Sequence, residues 1–385
     1  MKIAIVHDWL VTYSGSERVI EQMLQVIPDA DLFCLFDIMP EAERSFLRGK
    51  RATTSFLQKL PFKASLYRKF LPLMPVAVEQ FDLSAYDVII SNCHATSKGI
   101  ITNPEQLHIS YIHTPIRYAW DMQNEYLQAS QSGRLTNLGM RMMLHYIRLW
   151  DQAASSRPDV ILANSSFIAR RIQKIYRRES EVLNPPVDVD LFSYQDKKSD
   201  YYLTASRLVP YKRVDLIMEA FRGMPAKKLI VIGDGPDSEK IRKLAAANIQ
   251  WLGYQSTEAL RKYMQNARAF VFAAREDFGI TPLEAQACGT PVIAFREGGV
   301  AETIHGLDHS TPTGVFFLEQ TSHSIQEAVE LFESNSEKIK SEACRKNAER
   351  FSNLRFKQEF GDHLREKWAD FQKRNLLQVD QHALH

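Results

Sequence analysis

Short apolar runs recur along this chain with helix-forming stretches between them, and this alternation constrains the fold more than any other feature. In the first half the runs fall at Ile3–His7, Leu32–Phe36, Val88–Ser91, Ile109–His113 and Val160–Ala163. In the second half they return at Tyr202–Ala205, Leu229–Ile232, Gln250–Leu252, Phe270–Ala273 and Val292–Phe295. Runs of this length read as buried strands, and the amphipathic stretches between them supply the crossovers that parallel strands need. Val214–Phe221, Ser238–Ala247 and Ser256–Ala267 are such stretches, the last with Ser256 placed to cap it. The expected fold class is α/β, with two doubly wound parallel sheets in series and no finer repeat. A chain of 385 residues is long enough for two cores. The break is expected at Asn184-Pro185-Pro186-Val187-Asp188, because adjacent prolines stop a helix and extend the chain. The expected domains are residues 1–190 and 195–355. Near the C-terminus Phe356, Phe360, Leu364, Trp368 and Phe371 form one apolar stripe, read as a terminal helix over about 356–385.

Composition narrows the class. The chain is 45% hydrophobic and 24% charged, and no apolar run reaches the ~18–20 residues that span a bilayer. Its N-terminus enters a strand pattern directly, without a signal-peptide plan, so a cytoplasmic location is expected. The four cysteines, Cys34, Cys93, Cys288 and Cys344, lack CxxC spacing and read as buried reduced thiols. A net charge of +2 gives no global steering towards nucleic acid. Residues 44–78, however, contain no acidic side chain, while Arg44, Arg48, Lys50, Arg51, Lys59, Lys63, Arg68 and Lys69 alternate there with Phe46, Leu47, Phe56, Phe62, Leu66, Tyr67 and Phe70. That mixture suits an anionic membrane surface, and equally a solvated helix pair with its apolar face in the core.

In open α/β sheets ligands bind beyond the carboxyl ends of the strands, so the loops that follow the strands are the candidates. After the first run comes Ser14-Gly15-Ser16-Glu17, where a glycine at a helix start lets backbone approach a phosphate. It is not GxGxxG, which removes the dinucleotide fingerprint. After Tyr202–Ala205 comes Ser206-Arg207-Leu208-Val209-Pro210-Tyr211-Lys212, whose arginine fork and lysine point charge can straddle a diphosphate. Gly233-Asp234-Gly235-Pro236 is a tight turn. Arg275-Glu276-Asp277-Phe278-Gly279-Ile280-Thr281-Pro282-Leu283-Glu284 holds two glutamates across a strand-to-helix junction. Pro282 reads as the first helical residue, with Thr281 as cap and Glu284 completing a capping box. Glu276, ahead of the helix, is free to hold sugar hydroxyls, and the N–H groups of Gly279 and Ile280 to face a phosphate. In the first half, His113 ends a strand, and Arg117, Tyr118, Trp120 and Asp121 follow with polar and stacking groups that suit a sugar acceptor. Asp188-Val189-Asp190 is a DxD at the linker and is not read as a metal site, and no GxSxG is present.

Taken in order, the Gly15 loop, Ser206-Arg207-Leu208 with Lys212, Gly233-x-Gly235-Pro236, Glu276 with Glu284, and the Asn184-Pro185-Pro186-Val187-Asp188 linker resemble the family 4 retaining glycosyltransferases. The resemblance covers roughly Lys2 to Trp368. It implies a GT-B fold, with two Rossmann-like domains, an interdomain cleft and a last helix returning to the first domain. It also implies an acceptor-binding first domain and a donor-binding second one. The implied roles are Glu276 and His113 at the donor sugar, Glu284 at the ribose, and Arg207, Lys212 and Gly15 at the diphosphate. Gly233, Phe278, Gly279, Ile280 and Tyr254, the last beside the base, complete the implied donor site. No metal or cofactor is implied beyond the nucleotide-sugar donor.

Ile5-Val6-His7-Asp8-Trp9-Leu10, Ser14-Gly15-Ser16-Glu17-Arg18 and His113-Thr114-Pro115-x-Arg117-Tyr118-x-Trp120-Asp121 look like bacterial O-antigen and exopolysaccharide mannosyltransferases. That likeness implies GDP-mannose, a lipid-linked or polysaccharide acceptor, and a peripheral place on the inner face of the plasma membrane. A UDP-sugar or GDP-fucose transferase and a non-catalytic nucleotide-sugar-binding module remain alternatives. An epimerase or phosphorylase on the same two-domain plan is a further one.

Overall fold

The structure is a computed structural model that describes residues 1–61, 67–124, 127 and 133–382. The chain divides into two compact units, Met1–Asn184 with Phe356–His385, and Pro185–Arg355.

The first unit is built on a seven-stranded sheet of β1 (Ile3–Leu10), β2 (Asp31–Asp37), β3 (Thr53–Thr54), β4 (Val88–Cys93), β5 (Leu107–Ile112), β6 (Val160–Ala163) and β7 (Glu181–Val182), in the order β3-β2-β1-β4-β5-β6-β7. Every pairing is parallel. Both faces of the sheet are covered, which is why its strands read as continuous apolar runs. Along β1, Ile3 and Ile5 pack into one buried cluster with Met23 and Phe360, while Ala4 and Val6 pack into another with Leu71 and Ile147. The terminal helix Asn353–His382 sets Phe356, Phe360, Leu364 and Phe371 into the first of these clusters. Its stripe therefore belongs to the core of the first unit.

The second unit repeats the plan with β8 (Tyr202–Ala205), β9 (Leu229–Ile232), β10 (Ile249–Trp251), β11 (Ala269–Phe272), β12 (Val292–Phe295) and β13 (Gly314–Phe317), in the order β10-β9-β8-β11-β12-β13. All these pairings are parallel too. In both units the chain starts in the middle of the sheet, builds outwards and then reverses. The reversal lies between β1 and β4 in one and between β8 and β11 in the other, and a doubly wound sheet opens its binding crevice at that point.

Three strands escaped the sequence pattern. β3 and β7 are two residues long, and the side chains of β7 are exposed, so neither forms an apolar run. β13 opens on Gly314, where a Cβ would lie 2.0 Å from the Val292 carbonyl oxygen, so the close approach of β12 requires a residue that breaks the apolar signal. The helix expected over 238–247 stops at Arg242. The chain must turn there into β10, and the Asn248 side chain fastens that turn to the carbonyls of Phe221, Met224 and Lys227. The 44–78 window forms short 3₁₀ turns and the helix Met74–Glu79. Its Arg44 is buried in a two-bond pair with Asp37 at 2.5 and 2.6 Å, and Arg51 meets Glu41. Phe62, Lys63 and Leu66 lie outside the described residues, as do the side chains of Tyr67 and Arg68. Among the described residues no helix is long and apolar enough to cross a membrane.

Candidate functional site

In the second unit the expected residues fall on consecutive strand ends. Arg207 follows β8, Gly233 follows β9, Tyr254 follows β10, and Glu276 and Gly279 follow β11. Lys212 closes a 3₁₀ turn, Pro210–Lys212, in the loop after β8. Its ammonium is paired with the Glu276 carboxylate, both side chains being largely buried at 13% and 17% exposure. This pair joins the loops of β8 and β11, the two strands that flank the reversal. The Lys212 Nζ also lies 5.6 Å from the Tyr211 ring and 5.8 Å from the Phe272 ring. Arg207 is exposed and meets no carboxylate among the described residues.

The backbone around this pair is held by close approaches. Gly233 adopts φ +136°, and a Cβ there would sit 1.8 Å from the Ser206 carbonyl oxygen, which locks the β8 and β9 loops together. The loop after β12 does the same for Glu276. The Gly299 N–H donates to the Glu276 carbonyl at 2.8 Å, and Gly298 has φ +86° with room for no side chain, a Cβ falling 2.2 Å from that carbonyl oxygen. Gly298-Gly299 was not among the expected site residues, although a glycine pair in the loop after the Val292–Phe295 run is the same kind of signal that marked the other loops. A Gly298→Ala change is expected to cost about 1–3 kcal/mol of second-unit stability through backbone strain and to displace Glu276. Denaturant unfolding beside donor binding checks this, and an alanine variant matching the native protein in both would contradict it.

The helix after β11 begins earlier than its sequence signal. It spans Ile280–Ala287, and its N-cap is Gly279 at φ +91°, not Thr281. The left-handed glycine turns the chain two residues sooner than the Thr281-Pro282 pair implies, and Pro282 falls inside the first turn. Glu284 therefore has no capping role. It sits on the second turn, 3% exposed. Phe278 packs its ring edge-on against Phe351 and is 4% exposed, so that position offers only backbone to a ligand. Tyr254 is 79% exposed, beside Gly253, whose carbonyl accepts from the Gly233 N–H. In the linker, Asp188 accepts from the Leu191 N–H and so fixes a turn.

The first unit places a polar cluster at the carboxyl ends of β1, β4 and β5, around its own reversal. Gly15 opens the helix Gly15–Val26 behind Ser14, whose hydroxyl and N–H both donate to Glu17, the third residue of that helix. His7 Nε2 meets Glu17 Oε1 at 3.2 Å and His7 Nδ1 meets the Asn92 carbonyl at 3.1 Å, so both ring nitrogens face acceptors. Burial works against the imidazolium, but the Glu17 bond and charge outweigh it and hold the His7 pKa above its ordinary value. Glu17 is in turn held down to about 2: burial opposes its charge, and the His7 and Ser14 bonds overcome that. Asp8 accepts from the N–H groups of His94, Ala95, Thr96 and Ser97, which folds the loop after β4 over the end of β1.

His113 Nε2 donates to Asn92 Oδ1 at 2.7 Å. Burial first, then the charges of His94 and His7, push its pKa down to about 3, so the ring is neutral and its Nδ1 is left as an acceptor. Among the residues expected at the acceptor, Asp121 is paired with Arg171 and Trp120 donates its indole N–H to the buried Asp151. Arg117 and Tyr118 are half-buried beside them.

His108, on β5, is likewise held down to about 3, by burial and then by the Arg157 charge. A histidine with a lowered folded-state pKa refuses a proton that the unfolded chain accepts below 6.5, so its stabilisation is full above that pH and is lost as the pH falls towards 3. His7, raised, acts in the opposite direction and offsets part of the loss. With His113 lowered in the same way as His108, lowering the pH from 7.0 to 5.5 is expected to cost the first unit about 2 kcal/mol net. Tryptophan fluorescence during urea unfolding reads this directly, because Trp9, Trp120, Trp150 and Trp368 lie in that unit and Trp251 alone in the other. A His108→Gln variant should show a shallower pH slope, and an unchanged slope would contradict the assignment.

Parts of known sugar transferases are similar to part of this chain. Residues 192–351 match the family model described as "Glycosyl transferases group 1". The D-inositol 3-phosphate glycosyltransferase of Mycolicibacterium paratuberculosis is 28% identical over 196 residues, which covers 41% of this chain and 44% of the relative. A GDP-mannose-dependent α-(1-6)-phosphatidylinositol monomannoside mannosyltransferase of Mycobacterium tuberculosis is 30% identical over 177 residues, covering 38% of this chain and 46% of the relative. The chain thus spans less than half the length of the curated relatives it matches. Among solved structures, Anabaena HepE in complex with UDP and glucose superposes with a TM-score of 0.65 at 16% identity, over 94% of this chain and 99% of that one. With two Rossmann-like parallel-sheet units, the fold is GT-B.

Proposed function

We propose that this protein is a retaining glycosyltransferase that moves a hexose, mannose from GDP-mannose, onto a lipid-linked or polysaccharide acceptor. In this reading the second unit binds the donor and the first the acceptor. The observation that carries it is the Lys212–Glu276 pair at the reversal of the second sheet. It sets a cation for a diphosphate beside a carboxylate for sugar hydroxyls, with the free arginine fork of Arg207 in the same loop as the lysine. On donor binding the pair is exchanged for contacts of the same kind, Lys212 with phosphate oxygens and Glu276 with hydroxyls, so neither charge loses its partner.

The reaction is a front-face substitution. The bond from the anomeric carbon to the diphosphate oxygen breaks, the bond to the acceptor oxygen forms on the same face, and the acceptor's proton passes to the departing diphosphate. Charge grows on the diphosphate in the transition state, so Lys212 and Arg207 contribute most there. Glu276 and the neutral His113, through its Nδ1, orient the sugar. Mannose and guanine rest on the likeness of the first-half motifs to exopolysaccharide mannosyltransferases, together with the mannosyl relative above. The 44–78 window is assigned to an anionic membrane surface through its exposed cations.

A second reading, transfer from a UDP-sugar, is favoured by HepE, whose crystals hold UDP and glucose. Calorimetric titration with GDP and with UDP separates the two. Binding of GDP at least tenfold tighter supports the first, the reverse order supports the second, and binding of neither excludes both.

A further inference from the structure

Strand β4 carries Ser91-Asn92 inside an otherwise apolar run, and buried polar side chains in a sheet covered on both faces need partners. Ser91 finds them in the Ser110 hydroxyl and the His108 ring. Asn92 is fully buried, and its partners belong to the polar cluster at the carboxyl end of the sheet. β4 runs between β1 and β5, with Asn92 in register with His7 on one side and Tyr111 on the other. One side chain there can reach groups carried by both neighbouring strands.

The Asn92 amide joins two elements that have no other bond between them among the described residues. Its Nδ2 donates to the Ser16 carbonyl at 3.0 Å, in the first turn of the helix that Gly15 opens, and its Oδ1 lies 2.7 Å from His113 Nε2. The partners fix the orientation of the amide. A carbonyl only accepts, so the NH2 end faces Ser16 and the oxygen faces the histidine. That oxygen also only accepts, so the proton of the neutral His113 ring sits on Nε2 and Nδ1 keeps its lone pair. The Asn92 backbone is held in turn: His7 donates from Nδ1 to its carbonyl and from Nε2 to Glu17, which accepts from the Ser14 N–H and hydroxyl. No other residue type serves both ends. Aspartate would accept from His113 but set a carboxylate against the Ser16 carbonyl, and leucine would meet neither partner.

We propose that Asn92 is a positioning residue for the transfer. Its amide fixes His113 as the Nε2–H tautomer, which leaves Nδ1 to accept from a donor-sugar hydroxyl, and ties that ring to the helix start at Gly15. This role rests on the reading of the protein as a transferase with His113 at the sugar.

Nitrogen-15 NMR of the full chain labelled at histidine reads the tautomer, with His113 assigned by the signal lost in His113→Gln. Native His113 is expected as the Nε2–H form alone, and in Asn92→Leu as a mixture of both forms. In that variant kcat for nucleotide release from GDP-mannose or UDP-glucose should fall roughly 10–100-fold, as for other displaced orienting groups. A merely structural asparagine would lower stability and leave the tautomer unchanged. Should the leucine variant not fold, Asn92→Asp carries the test. Its carboxylate still accepts from Nε2–H, but its charge favours the imidazolium, so release should fall between about pH 7 and 5.5, where the native ring stays neutral. The other groups facing His113 are His7 and Asp8 of β1, Glu17, His94 and the Tyr111 ring, and both proteins share them. An Asn92→Leu protein with the native tautomer and native kcat, or an Asn92→Asp protein with the native pH profile, would overturn the assignment. Native protein that releases nucleotide from neither donor would overturn the transferase reading and this role with it, and the native rate tells that failure from the first.

Discussion

Replacing Lys212 with alanine is expected to lower turnover by about 10²–10³, the range found when one preorganised donor to a developing charge is removed. The loss should appear in kcat more than in KM, because the diphosphate gains charge only as the glycosidic bond breaks. Arg207→Ala should act in the same direction with no cost to stability, since its guanidinium is exposed and holds no carboxylate among the described residues. Lys212→Ala differs in leaving the largely buried Glu276 without its cation, and a Glu276→Gln change in the same chain removes that charge. The two substitutions together should therefore cost less than the sum of their separate effects, as expected for contacting residues. Additive losses would mean that the pair does not work as a unit. Full activity in Lys212→Ala would remove the lysine from the site.

The second large effect is expected in the interior of the first unit. Lys98 and Asp151 form a pair that is 1% and 0% exposed, and Asp151 also accepts from the Trp120 indole at 2.7 Å and the Tyr176 hydroxyl at 2.9 Å. Asp151→Ala leaves the buried Lys98 ammonium without its counter-ion, with only the Ala95 carbonyl at 3.3 Å, and takes the acceptor from the Trp120 and Tyr176 donors; breaking such a pair costs about 3–5 kcal/mol. Replacing both members, Lys98→Met with Asp151→Leu, should recover much of that loss, since an apolar pair has no charge to desolvate. Urea unfolding followed by tryptophan fluorescence measures both. Equal stabilities of the single and double variants would contradict the account. The double variant still frees Trp120, so it also tests whether that ring must be fixed for acceptor use: acceptor KM should rise while donor binding stays unchanged.

The sheets were legible because their signal is local. Each long strand is apolar on consecutive residues, as strands covered on both faces must be, and the turn glycines follow directly. What escaped had no local signal. Thr53–Thr54 and Glu181–Val182 are too short to show a pattern, and Gly314 stands where the neighbouring strand leaves no room for a side chain. At the site, the loop residues Arg207, Lys212, Gly233 and Glu276 could be singled out by residue type and place. That Lys212 and Glu276 meet could not, because 64 positions separate them. The same holds for His7 with Asn92, 85 apart, and for Lys98 with Asp151, 53 apart, pairs that only the folded sheet brings together. The start of the helix at Gly279 was misread for another reason. Thr281-Pro282 with Glu284 is a genuine capping pattern, but a left-handed glycine two residues earlier takes precedence, since the chain has already turned when it reaches the threonine.

Slow release of nucleotide by the purified protein tests the central claim most directly, with GDP-mannose, GDP-fucose, UDP-glucose, UDP-galactose and UDP-N-acetylglucosamine offered in turn and Glu276→Gln measured beside the native chain. The account predicts GDP release from GDP-mannose, lost in Glu276→Gln while the variant still folds. Release at an equal rate from the glutamine variant, or binding of every donor with no release even when glycolipid acceptors are added, would contradict it.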